Sequence, residues 1–124
     1  MLSAKEIGKL GEDIAVKFLK KKSYKVLDRN FQKDIKGLKF GEIDIVAKKD
    51  GIIIFVEVKS LKQAGGIAPE ERVDFRKRKT IKKTAEIWLS EHKIPLDSPW
   101  QIDILAIVLN FDSCKAKIKH FENI

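Results

Sequence analysis

Cysteine is almost missing from this chain: Cys114 stands alone, which excludes internal disulfides and any cysteine-based zinc site. Histidine is scarce too. His92 and His120 stand apart from other ligand-type residues, so both are expected at the surface. Long apolar runs are lacking, since the longest, Ile104 to Leu109, cannot span a bilayer. The opening Met1-Leu2-Ser3-Ala4-Lys5-Glu6 holds no apolar stretch of the kind that directs secretion. A cytoplasmic protein without membrane contact is the expectation. Repeats and low-complexity segments are absent as well.

What is present fits one folded domain over residues 1–124: 44% of the residues are hydrophobic and 35% charged, a balance that excludes compositional disorder. The net charge of +8 is unevenly spread. Residues 1–40 carry 11 basic and 5 acidic side chains, and residues 72–83 carry 7 and 1. Between them, residues 41–71 carry 4 basic and 6 acidic. An acidic centre flanked by basic segments suits a metal site within a polyanion-binding surface, and equally an ordinary solvated surface.

Ser3-Ala4-Lys5-Glu6 has the form of a capping box, with Ile7, Leu10, Ile14 and Phe18 following at helical spacing, which predicts a helix over residues 4–22. Tyr24, Val26 and Phe31 predict a short strand ahead of a polar stretch, Gln32 to Lys39. Two β-rich runs follow, Phe40 to Lys48 and Ile52 to Ser60. Asp50-Gly51 between them predicts a two-residue hairpin, because both central residues of a type I′ turn need positive φ. Leu61 to Pro69, with Gly65-Gly66, reads as a mobile loop placed to contact a substrate. A second helix is expected over residues 74–91, with Asp74 as N-cap and Ile81, Ala85, Trp88 and Leu89 on its apolar face. Pro95 and Pro99 bracket a connection to a buried strand, Gln101 to Leu109, and Ala116 to Phe121 reads as a weaker final strand. The order α-β-β-β-α-β, with that possible extra strand, predicts an α/β fold with a mixed sheet covered by helices.

If Asp50 and Gly51 form the turn, facing hairpin positions have numbers that sum to 101, so Asp44 lies opposite Glu57 and Glu42 opposite Lys59. Facing residues have Cβ atoms roughly 4.5–5.5 Å apart, so the Asp44–Glu57 pair needs compensation. A shared proton, a neighbouring cation such as Lys59, or a hard divalent metal would each serve. Glu12 flanks the apolar stripe of the first helix, where it either reaches the sheet or stays an ordinary exposed glutamate. Lys77, four residues before Ile81, extends the inward face of the second helix or lays its stem over the core.

Gly11-Glu12, Arg29-Asn30, Gly41-Glu42-Ile43-Asp44 and Phe55-Val56-Glu57-Val58-Lys59 together resemble the YraN-type bacterial protein family, which looks like a branch of the PD-(D/E)XK nuclease superfamily. The resemblance extends to Lys77 and Asp103 and so covers most of the chain. Gln101-Ile102-Asp103 departs from the family's usual Arg-Phe-Asp, and Ile43-Asp44 replaces the superfamily's nominal Pro-Asp. The likeness implies a restriction-endonuclease-like fold similar to archaeal Holliday-junction resolvases. It implies Mg²⁺ or Mn²⁺ held by Asp44, Glu57 and the main-chain carbonyl of Val58. Lys59 would activate water, Glu12 would complete the acidic cluster and Lys77 would offset phosphate charge. The implied partner is nucleic acid, DNA favoured, with junction-cutting relatives acting as dimers. Two other functions fit the same fold: a nucleic-acid-binding module without turnover, and a structural adaptor.

Overall fold

The computed structural model describes residues 2–63, 74–95 and 97–124, with the main chain alone at 35 and 38–40. Helix α1 (Ala4–Lys21) leads into strands β1 (Lys25–Ile35), β2 (Leu38–Lys49) and β3 (Ile52–Lys62). A 3₁₀ turn (Phe75–Lys77), helix α2 (Arg78–Glu91), and strands β4 (Trp100–Asn110) and β5 (Lys115–Phe121) complete the order. This is the expected mixed α/β arrangement, including the final strand.

The capping box forms: the Ser3 hydroxyl accepts from the Glu6 N–H at 3.1 Å, and the Ser3 N–H donates to Glu6 Oε1 at 3.0 Å. The hairpin turn also forms, with φ of 52° at Asp50 and 78° at Gly51. All five β2–β3 pairs, from Lys49↔Ile52 to Ile45↔Val56, keep the expected register.

The sheet runs β1-β2-β3-β4-β5, antiparallel except for the parallel β3–β4 pair. A parallel pair of consecutive strands needs a crossover, and α2 lies within it. Alternation along the strands gives the sheet two apolar faces. Ala15, Val16 and Leu19 of α1 pack on Ile45, Ile54, Val56, Leu105 and Ile107. Ile81, Ala85, Trp88 and Leu89 of α2 pack on Val46, Ile53, Phe55 and Ile102. One helix therefore covers each face, and all four residues expected on the apolar side of α2 are buried.

Several expectations are corrected. Gln32 to Ile35 belong to β1 and not to a polar loop, because β1 is an edge strand whose polar residues meet solvent and whose hairpin turns at Lys36-Gly37, both at positive φ. The second helix proper begins at Arg78. Asp74 caps the preceding 3₁₀ turn, its carboxylate accepting from the Arg76 N–H at 2.9 Å. Leu61 and Lys62 extend β3, and Leu61 is buried. Gln63 follows, its N–H donating to the Leu109 carbonyl at 2.9 Å, and the remainder of the expected substrate-contacting loop, 64–69, lies outside the described residues.

Candidate functional site

The strands carrying the predicted acidic pair part company at that pair. The β2–β3 ladder ends at Ile45↔Val56, after which β2 continues with β1, and β3 continues with β4 as far as Lys62↔Leu109. Asp44 sits in the crotch of this fork. Its Oδ2 accepts from the Val58 N–H at 2.7 Å, so a side chain takes the place of the next ladder bond.

The other edge of Asp44 is irregular too. Arg29 pairs with Ile45 and Phe31 with Ile43, while Asn30 between them turns to a φ of 53°. Ile45 lies in the α1 core and Ile43 in the α2 core, although alternate residues of a regular strand share a face. The chain therefore twists at Asp44, turning its carboxylate edgewise toward β3. Such irregularities re-aim side chains and terminate pairing.

Two glycines bring the helices down on the fork. A Cβ on Gly11 would lie 1.7 Å from Ser60 Oγ and 2.9 Å from Ser60 Cβ, so α1 reaches the end of β3 only because position 11 lacks one. That contact lowers Glu12, the next residue, toward the acidic pair. A Cβ on Gly41 would lie 2.3 Å from Thr84 Oγ1, so α2 makes a matching close approach beside Glu42.

The resulting electrostatics are lopsided. Burial, then the Glu57 charge, pushes the Asp44 carboxyl from its ordinary 3.8 up to about 7, against the hydrogen bond from Val58. Burial also raises Glu57. The strongest opposing influence there is the Lys77 ammonium, with Lys59 contributing less and the Glu42 and Glu12 charges adding to the rise. Glu12 is raised by burial, against the nearby Arg29 charge and a hydrogen bond from Asn30. Four carboxylates thus share one half-buried region. A cavity of about 380 Å³ opens on it, lined by Glu12, Glu57, Val58, Lys59 and Lys77.

Comparison with known proteins agrees with the residue pattern. The family model described as uncharacterised protein family UPF0102 matches residues 11–107. The chain belongs to that family. It is 42% identical over 109 residues to a UPF0102 protein of Dictyoglomus turgidum, covering 88% of this chain and 87% of the relative. It is 43% identical over 121 residues to one from Fervidobacterium nodosum, covering 93% and 78%, and 40% identical over 116 residues to one from Thermotoga petrophila, covering 94% of each.

Of the residues singled out in the sequence, Glu12, Asp44, Glu57, Lys59 and Lys77 come to one place. Lys77 arrives from the 3₁₀ turn and not from the helix. Neither expected facing pair is part of the β2–β3 ladder: Asp44 and Glu57 stand just past its last pair, Glu57 pairing with Ile104 of β4, and farther along Glu42 pairs with Gln32 of β1 and Lys59 with Ala106 of β4. Glu42 instead belongs to the acidic cluster through its influence on Asp44, Glu57 and Glu12. Asn30 and Arg29 support Glu12 from β1. Their proximity depends on tertiary packing, and no spacing in the sequence announces it.

A second cluster lies elsewhere. Asp103 is fully buried on β4, and His120 Nε2 of β5 lies 2.7 Å from its Oδ2. The Gln101 side chain and the Asn123 N–H each donate to Asp103 Oδ1 at 2.9 Å. His120 is therefore no surface residue, its side chain being 16% exposed. Period-two alternation with inward-facing Ile118 was the available signal. His92 is exposed as expected, and its ring stacks on Trp88. Among the described residues, Asp103, His120 and Glu122 bring three potential ligand atoms within 4.8 Å of one another. No described helix is long and apolar enough to cross a membrane.

Proposed function

We propose that this chain is a metal-dependent nuclease of the PD-(D/E)XK type, a single domain that hydrolyses phosphodiester bonds in nucleic acid, with DNA favoured. The observation that supports this most is the fork itself. Asp44 and Glu57 are both half-buried and short of positive charge; Glu57 lines a cavity together with Lys59, Lys77 and Val58, whose N–H binds Asp44.

The donor set fits Mg²⁺ or Mn²⁺. Hard divalent ions take carboxylate and carbonyl oxygens, and Mg²⁺ is commonly held by one or two carboxylates. Asp44 keeps Oδ1 beyond its bond to Val58. In an extended strand a residue's N–H and C=O point toward the same neighbour. The Val58 N–H faces Asp44, so its carbonyl faces the open fork as well. Asp44, Glu57 and the Val58 carbonyl would hold the ion. When bound, it supplies Lewis-acid polarisation of a phosphoryl oxygen and acidification of water.

The remaining steps belong to the chain's own side chains. Lys59 orients the attacking water and helps remove its proton. Lys77 places a point cation against the phosphate and the Glu57 charge. Glu12 closes the acidic cluster from α1. The exposed basic residues of the 3₁₀ turn and α2, including Arg76, Arg78, Lys79, Lys82 and Lys83, bind backbone phosphates without reading sequence.

The test is a cleavage panel of branched, flapped, single-stranded and duplex DNA, with RNA beside it, in Mg²⁺ and in Mn²⁺. Asp44→Asn is expected to lower cleavage by on the order of 10²–10³-fold or more. Cleavage that survives in both Asp44→Asn and Lys59→Ala contradicts the proposal and points to a contaminating enzyme.

A further inference from the structure

A hollow larger than the acidic cavity lies beside it. A groove of about 630 Å³ lies over the ends of β3 and β4, with Lys62, Gln63 and Leu109 lining its floor. Leu2 and Ile7 wall it on the α1 side, and Phe111 and Asp112 of the β4–β5 turn wall it on the other. Ile7 and Lys62 also line the acidic cavity, so the two hollows adjoin.

Its lining is that of a ligand pocket, apolar walls with a few polar groups. It lies at the carboxyl ends of two parallel strands, where α/β sheets usually bind ligands. Phe111 is 44% exposed and Leu2 39%, so an aromatic and an aliphatic side chain are open to solvent here. Phe111 is held by its turn, in which Asn110 Oδ1 accepts from the Asp112 and Ser113 N–H groups at 3.0 and 3.2 Å.

We propose that this groove receives an unpaired nucleobase, stacked on Phe111, from the strand whose phosphate lies over Asp44 and Glu57. The proposal rests on the nuclease reading and narrows its substrate to nucleic acid with a single-stranded segment. Adjacency to the acidic cavity and the charge of Lys62 select this occupant. Lys62 places a cation between groove and acidic cavity, where the connecting phosphates of one strand would pass. Glu57 and Lys62 are five residues apart on one extended strand, roughly 17 Å, so the base enters a few nucleotides from the scissile bond. A base paired within a duplex is held by its partner and its stacked neighbours, and cannot enter without leaving the helix. Flaps, tails and branch points supply one that can.

The test is binding in EDTA, where nothing is cleaved, to labelled single strands, blunt duplex, and tailed duplex with one abasic site walked along the tail. Single-stranded and tailed probes should bind more tightly than blunt duplex. One abasic position should weaken binding to the wild type by roughly 5–150-fold, the worth of a stacked base, and add nothing to the weaker binding of Phe111→Ala. Phe111→Tyr should restore the sensitivity. If Phe111→Ala does not fold, the abasic walk on the wild type decides. Equal affinity for all probes, no sensitive position, or an unaltered Phe111→Ala overturns the groove assignment. Cation-dependent cleavage lost in Asp44→Asn would then still uphold the nuclease reading, whereas failure to bind any probe would remove both.

Discussion

Two carboxylates sit inside this molecule in opposite circumstances. Asp103 is fully buried, yet both of its oxygens are engaged, one by His120 and the other by Gln101 and the Asn123 N–H. Asp44 is less buried and worse served: it has the Val58 N–H at 2.7 Å, while Glu57, Glu12 and Glu42 all act to raise its pKa. Burial alone therefore does not mark a functional carboxylate. What distinguishes Asp44 is negative charge left for a ligand to neutralise, beside a cavity through which one can arrive. Asp103 ties β4 to β5 and the C-terminal residues, and its neighbourhood is already complete.

This contrast is sharpest in stability. Asp103→Ala strips His120, Gln101 and Asn123 of a shared acceptor and is expected to cost about 3–5 kcal/mol, measured by urea unfolding and independent of divalent cation. A cost within experimental error would mean that the two sites do not differ as described.

Asp44→Asn should act in the opposite direction. The folded carboxyl titrates near 7 against an ordinary 3.8, so between those values the folded protein holds a proton that the unfolded chain has released. Without divalent cation, this group makes stability fall as pH rises from about 4 to about 7, and the loss is complete above that. Asn keeps an oxygen for the Val58 N–H and carries no charge. The variant should gain on the order of 2 kcal/mol at pH 8 in EDTA, gain little near pH 4, and lose this part of the pH slope. Paired urea titrations at the two pH values check it.

A smaller effect refines the fork itself. Lys77 is the main restraint on Glu57, so Lys77→Gln should shift the pH dependence of divalent-cation binding to higher pH while changing affinity at pH 8.5 by less than about tenfold. Calorimetry across pH reads it, and an unmoved profile would place Lys77 outside the site.

Much of the fold was legible because its signals are local. A capping box, a helical stripe and Asp50-Gly51 each act within a few residues, and the hairpin turn alone set the register of all five β2–β3 pairs. The same register pointed to Asp44 and Glu57 as neighbours. What it could not show was where the ladder stops, since that depends on β2 staying with β1 while β3 follows β4. The expected Glu42–Lys59 contact failed for that reason. The approach of Glu12 was open in the sequence because the Gly11 contact with Ser60 joins segments 49 residues apart. His120 was misplaced because its partner, Asp103, lies on another strand. A lone carboxylate within the apolar run of β4 was the clue that such a partner must exist.

Titration calorimetry with Mn²⁺ and Mg²⁺ at pH 8 decides whether the fork is a cation site. Binding to wild type and to Asp103→Asn is expected, with loss of that binding in Asp44→Asn and Glu57→Gln. No binding to wild type, or binding that survives in Asp44→Asn and disappears in Asp103→Asn, would contradict it and move any metal site to the other cluster.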